Sequence, residues 1–298
     1  MEVYGKLTDL PRGKAAKTVT EGCLILEGGG WRGMYTQGAL DALMQEGIMF
    51  ETTAGVSAGA MSATAYLSGQ IGLCARINLT HRHDPRYCGL IAGRTDHGIT
   101  GFSYLFHDLF DMYEFDMERF MDPTRKFYAE VTNMITGDPE MMSRDDGHIF
   151  EAIRASASLP YISLPVMIEG KPYLDGGCSD RLPYKWAKEQ GFRKIMIIRT
   201  RDRSYRRPIK KERFMTKMVY SKYPVFEESL KKSIPYYNQT IDETDRDYSE
   251  GKIFVLYPST PVKVSRLEGD MDKLGALYWQ GYHDMKQQMP ELKAYLAK

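Results

Sequence analysis

Two consecutive units of strand, glycine turn and helix lie near the start of the chain. In LILEGGGWRGMYTQGAL (24–40) an apolar strand precedes three glycines, and a helix with an apolar side follows them. In ETTAGVSAGAMSATAYLSG (51–69) the same order recurs around a second glycine turn. Strands that alternate with helices indicate a parallel or mostly parallel sheet with helices on both faces. We therefore expect an α/β fold.

The later parts of the chain continue this alternation. A hairpin-like run ends at Asp175, and apolar or alternating runs predict further strands at 126–137, 193–200 and 252–259. The segment 80–122 is rich in aromatic residues and histidines and has no clean period, which favours an insertion or cap of short helices. A final helix is predicted from about residue 270 towards Lys298, with an interruption near Pro290.

Length, composition and charge limit the class of protein, but they do not indicate a function. The chain has 298 residues, 43% of them hydrophobic, and a formal net charge of +1. These values suit one large α/β domain or two small ones and give no case for nucleic acid as a partner. No run approaches the ~18–20 apolar residues of a membrane span, and the N-terminal stretch lacks the apolar core of a signal peptide.

The cysteines point to no metal or redox chemistry. All four are scattered along the chain, at positions 23, 74, 88 and 178, and no C-x-x-C pair occurs among them. A reducing, cytoplasmic location is therefore the expectation.

The second glycine turn, GVSAG (55–59), is a candidate nucleophile site. It fits G-x-S-x-G between a predicted strand and a predicted helix. Gly55 and Gly59 permit a tight turn that exposes Ser57, and the N-terminus of the following helix favours negative charge at the same place. The alternative is a glycine-rich turn in which the serine is incidental.

A serine nucleophile needs a base, and Asp175 is the first candidate. It stands before Gly176 and Gly177 at the end of a predicted strand, so it could take the Ser57 proton directly in a Ser–Asp dyad. A free aspartate has a pKa of about 3.9, and partial burial would raise it towards the range that suits a base. Asp175 could instead only cap a turn.

A histidine-containing triad is a second way to activate the serine. The chain order Ser57, Asp175, His283 matches that of α/β-hydrolases. However, His283 lies in LGALYWQGYHDMKQQ, which is predicted to be helical, whereas the hydrolase histidine belongs on a loop. A surface or packing role for His283 is therefore favoured.

The first glycine turn, GGGWRG (28–33), fits G-x-G-x-x-G and admits two interpretations. Acyl transfer creates an oxyanion, which backbone N–H groups in such a turn stabilise, while Arg32 could orient the loop or attract an anionic head group. The rival is a dinucleotide fingerprint, with Glu51 as the acidic residue about 20 positions on. Against the rival, Glu27 would set a carboxylate beside the pyrophosphate.

Together the three motifs resemble the patatin-like phospholipase family. GGGWRG is similar to its oxyanion loop, GVSAG to its nucleophile elbow and DGG (175–177) to its base motif. ASASLPYISLPV (155–166) and the DRLPY that follows DGG also look like that family. The resemblance spans about residues 22–200 and is carried by the order, spacing and context of the motifs.

This resemblance implies a three-layer α/β/α fold with a mostly parallel central sheet and an α-helical insertion or cap. It implies catalysis by Ser57 and Asp175 without histidine, with Gly55, Gly59, Gly176 and Gly177 supporting the two turns. Lipid acyl esters would be the substrates, and neither cofactor nor metal is expected. The oxyanion would be bound by backbone N–H groups of Gly28, Gly29, Gly30, Trp31, Arg32 and Gly33.

We divide the chain accordingly. Residues 1–20 are a polar lead-in, 21–200 are the catalytic region with the possible cap at 80–122, and 201–298 are the C-terminal part of the same domain. The basic run 199–213 is expected to be a solvated face or to meet anionic lipid head groups in a peripheral membrane contact. The oligomeric state stays open.

Overall fold

The computed structural model describes residues 2–209 and 214–298. Within these residues, ten strands form one large sheet and one two-stranded pair, β1 with β4. The strands are β1 (Gly13–Lys14), β2 (Thr20–Leu26), β3 (Phe50–Val56), β4 (Gln70–Ile71), β5 (Lys126–Asn133), β6 (Pro139–Ser143), β7 (Val166–Ile168), β8 (Lys171–Asp175), β9 (Ile195–Ile198) and β10 (Phe254–Leu256).

Helices fill most of the connections between these strands. They are α1 (Gly33–Gln45), α2 (Ala58–Ser68), α3 (Leu73–His81), α4 (Leu90–Thr95), α5 (Phe110–Met112), α6 (Met117–Phe120), α7 (Ile149–Ser156), α8 (Tyr184–Glu189), α9 (Phe214–Val219), α10 (Pro224–Ser249) and α11 (Met271–Leu296). Short 3₁₀ turns occur at Leu7–Asp9, Gly30–Arg32, Arg144–Asp146 and Gly176–Cys178, and a π-helical segment at Tyr104–Leu109.

The large sheet is mixed but mostly parallel, as expected. Its order is β10-β9-β2-β3-β5-β8-β7, with β6 also paired to β5. The pairs from β10 to β5 are parallel, whereas β8, β7 and β6 join antiparallel. Because the parallel strands β2 and β3 both end at the same edge of the sheet, the two glycine turns that follow them meet there.

Alternate residues of the central strand β2 face two separate cores. Leu24 and Leu26 pack in a core with α1, α2 and α11, whereas Cys23 and Ile25 pack in a second core with α8 and α10. This period of two is the geometry of a strand that is covered on both faces. The predicted three-layer α/β/α arrangement is therefore confirmed.

The predicted interruption of the last helix is wrong, because α11 runs without a break through Pro290. A proline inside a helix costs about 3 kcal/mol, so packing must offset that loss. The packing is close: a Cβ added at Gly38 of α1 or Gly281 of α11 would lie only 2.0 Å from the facing helix backbone. Two buried hydrogen bonds also join the helices, Tyr35 to Asp284 and Tyr278 to Asp41.

The segment 80–122 runs from the end of α3 through α4, the π-helical segment and α5 to the residues after α6, with irregular stretches between these helices. Its role as an insertion or cap stays a prediction. Its phenylalanines pack against one another and against α7, with Phe110 stacked on Phe115 at a centroid distance of 3.9 Å. These rings therefore form packed structure rather than an exposed face.

The basic run 199–213 is only partly described, because residues 210–213 lie outside the described residues. Its described part is not a simple solvated face. Arg199 is fully buried, and Arg203 and Arg206 form ion pairs with Asp245 of α10. Among the described residues, no helix combines the length and apolar character needed to span a membrane.

Candidate active site

Ser57 occupies a strained turn between β3 and α2. Its backbone has φ of 55°, a value that non-glycine residues rarely adopt and that is common at functional turns. A Cβ at Gly59 would lie 2.2 Å from the Leu26 carbonyl oxygen, and one at Gly55 would lie 2.6 Å from the Ala60 nitrogen. Only glycine fits at either position, so the motif G-x-S-x-G follows directly from the tightness of the turn.

Asp175 lies at the end of β8 and faces the serine. Ser57 Oγ donates a hydrogen bond to Asp175 Oδ2 at 2.8 Å. The other carboxylate oxygen, Oδ1, accepts the N–H of Gly177 at 2.8 Å, within the 3₁₀ turn that begins at Gly176. The structure thus brings together the serine and the aspartate, which are 118 positions apart in the sequence.

The surroundings of Asp175 favour its protonated form more than water would. Burial raises the pKa of the Asp175 carboxyl above its usual value. The hydrogen bond from Ser57, the charge of Arg181, the Gly177 N–H and the charge of Arg266 partly offset this rise. A carboxylate with a raised pKa is a better proton acceptor at neutral pH than a free aspartate.

Two serines, one at the end of α7 and one just after it, hold Ser57 and Asp175 in place. The three motifs did not reveal this role. Ser156 Oγ accepts the N–H of Ser57 at 2.8 Å, and the Ser158 carbonyl accepts the N–H of Asp175 at 2.9 Å. Both belong to ASASLPYISLPV, so family resemblance was the available signal. One short segment therefore positions both the serine and the aspartate.

The loop Gly28–Gly33 lies directly against the serine. A Cβ at Gly28 would be 3.1 Å from Ser57 Cβ and 3.0 Å from the Val56 carbonyl oxygen. Gly30 has φ of 59°, and a Cβ there would be 2.7 Å from the Arg266 carbonyl oxygen. These approaches allow backbone N–H groups to come close to the atoms that would react.

The N–H groups of the loop divide into two sets. The Trp31 N–H donates to the Arg266 carbonyl, and the Arg32 N–H donates to the Gly29 carbonyl. The Gly33 N–H donates to the carbonyls of Gly30 and Trp31. The N–H groups of Gly28, Gly29 and Gly30 donate to no acceptor among the described residues. Only the first three residues of the loop therefore have donors free for an oxyanion.

The dinucleotide interpretation of this loop is not compatible with the placement of its acidic residues. Glu51 accepts the N–H of Gly22, at the start of β2 and β3 and thus at the opposite end of the sheet from the loop. Glu27 is buried and accepts hydrogen bonds from Thr200 and Tyr237. Glu51 is therefore not placed to bind a ribose beside the loop, and Glu27 sets a carboxylate next to Gly28.

The triad with His283 is likewise not formed. His283 is exposed on α11, where its ring stacks on Trp279 at 5.7 Å and meets Tyr282 edge-on. Two cavities lie beside Ser57, and His283 lines neither of them. Its helical position places it on the outer side of the protein, as the pattern of that segment indicated.

Two cavities meet at Ser57. The first, of about 80 Å³, is mainly apolar and is lined by residues that include Trp31, Met34, Met61, Tyr87 and Ile99. The second, of about 50 Å³, is lined by the glycine loop, Asp175 and four arginines. Gly30, Ser57, Leu159 and Arg266 line both. The serine therefore lies where an apolar space adjoins a cationic one.

A family model described as patatin-like phospholipase matches residues 24–187. The chain belongs to the patatin-like phospholipase family. This family comprises lipid acyl hydrolases, and the match contains all three motifs. A second model, described as a domain of unknown function (DUF6363), matches residues 223–297.

Several curated proteins are similar to the same part of the chain. The uncharacterized protein YjjU of Escherichia coli is 28% identical over 182 residues, which are 59% of this chain and 51% of that protein. The lysophospholipase nte1 of Aspergillus terreus is 28% identical over 191 residues, which are 59% of this chain and 12% of that protein. The chain thus spans about half the length of the first relative and far less of the second.

Among solved structures, VipD from Legionella pneumophila superposes with a TM-score of 0.49 at 13% identity, over 95% of this chain and 70% of that one.

Proposed function

We propose that the protein is a serine acyl hydrolase that cleaves lipid acyl esters with Ser57 and Asp175 as its catalytic residues. The observation that carries this proposal is the 2.8 Å hydrogen bond from Ser57 Oγ to a buried Asp175 carboxylate. A serine hydroxyl is a weak nucleophile, and an adjacent base is what activates it.

In the first half of the reaction, Ser57 Oγ attacks the ester carbonyl and its proton passes to Asp175 Oδ2. The developing oxyanion accepts hydrogen bonds from the free N–H groups of Gly28 to Gly30. The N-terminus of α2, which begins immediately after Ser57, adds positive potential at the same point. Asp175 then returns the proton to the leaving alcohol, and an acyl-enzyme remains.

In the second half, water replaces the alcohol. Asp175 accepts a proton from this water as it attacks the acyl carbonyl, and the released proton finally returns to Ser57 Oγ. The apolar cavity beside Ser57 is suited to an acyl chain, since burial of each methylene contributes about 0.8 kcal/mol. Lipid esters fit this site better than small polar esters.

The proposal is tested with a short-chain nitrophenyl ester and a fluorophosphonate probe. Ser57→Ala and Asp175→Asn should each reduce kcat by at least about 10³-fold, because each removes one half of the nucleophile–base pair. The probe should label the wild-type protein at Ser57, and Ser57→Ala should stay unlabelled.

The matched control is His283→Ala, which removes an exposed imidazole outside both cavities. Its rate should equal that of the wild type. Near wild-type activity in Asp175→Asn would exclude the dyad, and loss of activity in His283→Ala would establish a histidine mechanism instead.

A further inference from the structure

The cationic cavity beside Ser57 contains more positive charge than the reaction above uses. Its arginines come from four separate places in the chain: Arg32, Arg181, Arg207 and Arg266. We call these four residues the arginine cluster. Asp175 is the one carboxylate among the described residues that line this cavity.

The arginine cluster lacks partners within the described part of the chain. No ion pair or side-chain hydrogen bond joins any of its guanidinium groups to a described residue. Arg32 is buried, and the Nε atoms of Arg32 and Arg181 are shielded from solvent without a hydrogen-bond acceptor. Buried donors of this kind are normally satisfied, and a ligand with acceptor oxygens would satisfy them.

Mutual repulsion within the arginine cluster supports the same conclusion. Burial, together with the charges of Arg181 and Arg266, lowers the pKa of Arg207 to about 9. Burial, together with the charges of Arg201 and Arg266, lowers the pKa of Arg32 to about 10, and the charge of Glu27 offsets only part of this. Like charges held this close are unfavourable without a counter-charge, and a bound anion would relieve both the burial and the repulsion.

The size of the cavity fits a small oxyanion. One water needs about 10–15 Å³ of such space, and this cavity offers about 50 Å³, enough for a group of several atoms. Planar guanidinium groups bind the oxygens of phosphate in a bidentate manner, which makes arginine the preferred residue for phosphate recognition.

We propose that the arginine cluster binds a phosphate monoester carried by the acyl-ester substrate, so that the enzyme prefers lysophosphatidic acid-type lipids to zwitterionic phospholipids. This proposal rests on the function proposed above. A phosphate monoester brings nearly two negative charges at neutral pH. A head group with an ammonium would instead bring a positive charge towards four arginines.

The position of Ser57 explains how one substrate could use both cavities. Ser57 lines the apolar cavity and the cationic cavity alike. With the ester carbonyl at Ser57 Oγ, the acyl chain extends into the apolar side and the phosphate of the leaving glycerol phosphate lies on the arginine side. The arginine cluster therefore selects the leaving group.

The test compares three substrates of equal acyl chain: lysophosphatidic acid, lysophosphatidylcholine and monoacylglycerol. The wild type should show the highest kcat/KM for lysophosphatidic acid. Arg207→Gln should lower the ratio of this value to that for monoacylglycerol by roughly tenfold or more, the effect of one charged hydrogen bond. Arg207 is chosen because, unlike Arg181 and Arg266, it is not one of the main influences on the pKa of Asp175.

The matched control is Arg193→Gln, which removes an exposed arginine outside the cavity. Its substrate ratio should be that of the wild type, and Arg207→Lys should restore part of the preference. Equal use of the three substrates by the wild type, or equal effects of Arg207→Gln and Arg193→Gln, would overturn the proposal.

The pH dependence of the same ratio reports on the charge of the phosphate. Its second ionisation has a pKa of about 6, so the preference should grow from about pH 5 to pH 7. Ionisation of Asp175 affects both substrates and cancels in the ratio. A ratio that does not change with pH would contradict recognition of the dianion.

Direct binding separates this proposal from the proposed function. Calorimetry with the Ser57→Ala protein measures the affinity for glycerol 3-phosphate and for inorganic phosphate without any turnover. Binding of glycerol 3-phosphate that Arg207→Gln weakens supports a lipid head-group site, even if no ester is cleaved. Tight binding of inorganic phosphate without preference for lysophosphatidic acid would assign the site to free phosphate. If neither glycerol 3-phosphate nor inorganic phosphate binds, the arginine cluster is not an anion site and the proposal is wrong.

Discussion

The motif region, residues 24–187, and the C-terminal region, residues 200–298, contribute to the site in different ways. The motif region supplies Ser57, Asp175 and the glycine loop, each in or beside a turn whose glycines leave little room for a side chain. The C-terminal region supplies Arg207 and Arg266, which lie in irregular segments. Tight turns leave a pattern in the sequence, whereas a long side chain that reaches a site from a loop leaves none.

The two regions are joined at the glycine loop itself. The N–H of Trp31 donates to the Arg266 carbonyl at 3.2 Å, and the left-handed backbone of Gly30 allows that carbonyl to approach. Arg82 holds the same segment from the other side through the carbonyls of Leu267 and Glu268. The loop that lies against Ser57 thus also contacts the C-terminal region.

Among the variants that test this difference between the regions, Gly28→Ala in the motif region should have the largest effect, a loss of kcat. The added methyl would lie 3.0–3.1 Å from Val56 and Ser57, so the loop and Ser57 must separate by a few tenths of an ångström. Loss of one oxyanion donor reduces kcat by about 10²–10³-fold in known cases, and we expect about 10²-fold here. The measurement is nitrophenyl ester hydrolysis.

Gly5→Ala is the control for that variant, since nothing lies within 4 Å of the added carbon. Its rate should be unchanged. If Gly28→Ala retained full activity at an unchanged melting temperature, the loop would have no part in stabilising the transition state.

A smaller effect, on stability, is expected from Gly281→Ala in the C-terminal region. The added methyl would lie 2.0 Å from the Tyr35 carbonyl oxygen and would force α11 away from α1. We expect the free energy of unfolding to fall by about 2–3 kcal/mol, measured by denaturant unfolding. Gly93→Ala, whose nearest neighbour is 3.9 Å away, should have little effect. Equal stabilities for the two variants would mean that the helix contact is not close.

The smallest expected effect is a shift in the pH profile of kcat/KM, which depends on charges from both regions. Burial raises the pKa of Asp175, so its carboxylate should become protonated at a higher pH than that of a free aspartate. Activity should therefore begin to fall at that higher pH as the solution is made more acidic. The charges of Arg181 and Arg266 oppose that rise. Arg181→Gln should therefore move the acid limb to higher pH, and Arg266→Gln should move it less.

Arg193→Gln again serves as the control, and its profile should match that of the wild type. A shift of the acid limb to lower pH in Arg181→Gln would show that another group, not Asp175, controls the profile.

Much of the fold could be predicted because local pattern and tertiary structure agree. The strand, glycine turn and helix that were predicted within 51–69 are present as β3, the turn at Ser57 and α2. Short-range signals of this kind depend on neighbouring residues alone. The antiparallel pairing of β8 with β5, which brings the hairpin of β7 and β8 into the sheet, joins residues about 40 positions apart and was not foreseen in detail.

The wrong prediction at Pro290 has a different physical origin. A local rule assigns a helix break to an internal proline, because one backbone hydrogen bond is lost. In α11, the contact between Gly281 and α1 and the buried Tyr278–Asp41 hydrogen bond come from residues more than 200 positions away. A rule that considers only neighbouring residues does not include those interactions, and they keep α11 unbroken at Pro290.

By itself, the sequence determined the alternation of strands and helices, the two glycine turns, and Ser57 and Asp175 as candidates, because steric limits at a turn act over a few residues. Only the tertiary structure decided that Ser57 Oγ meets Asp175 Oδ2 at 2.8 Å, that His283 lies outside, and that four arginines surround one cavity. Charges separated by up to hundreds of residues act on one another only after the chain has folded, since their interaction depends on distance in space and on exclusion of water.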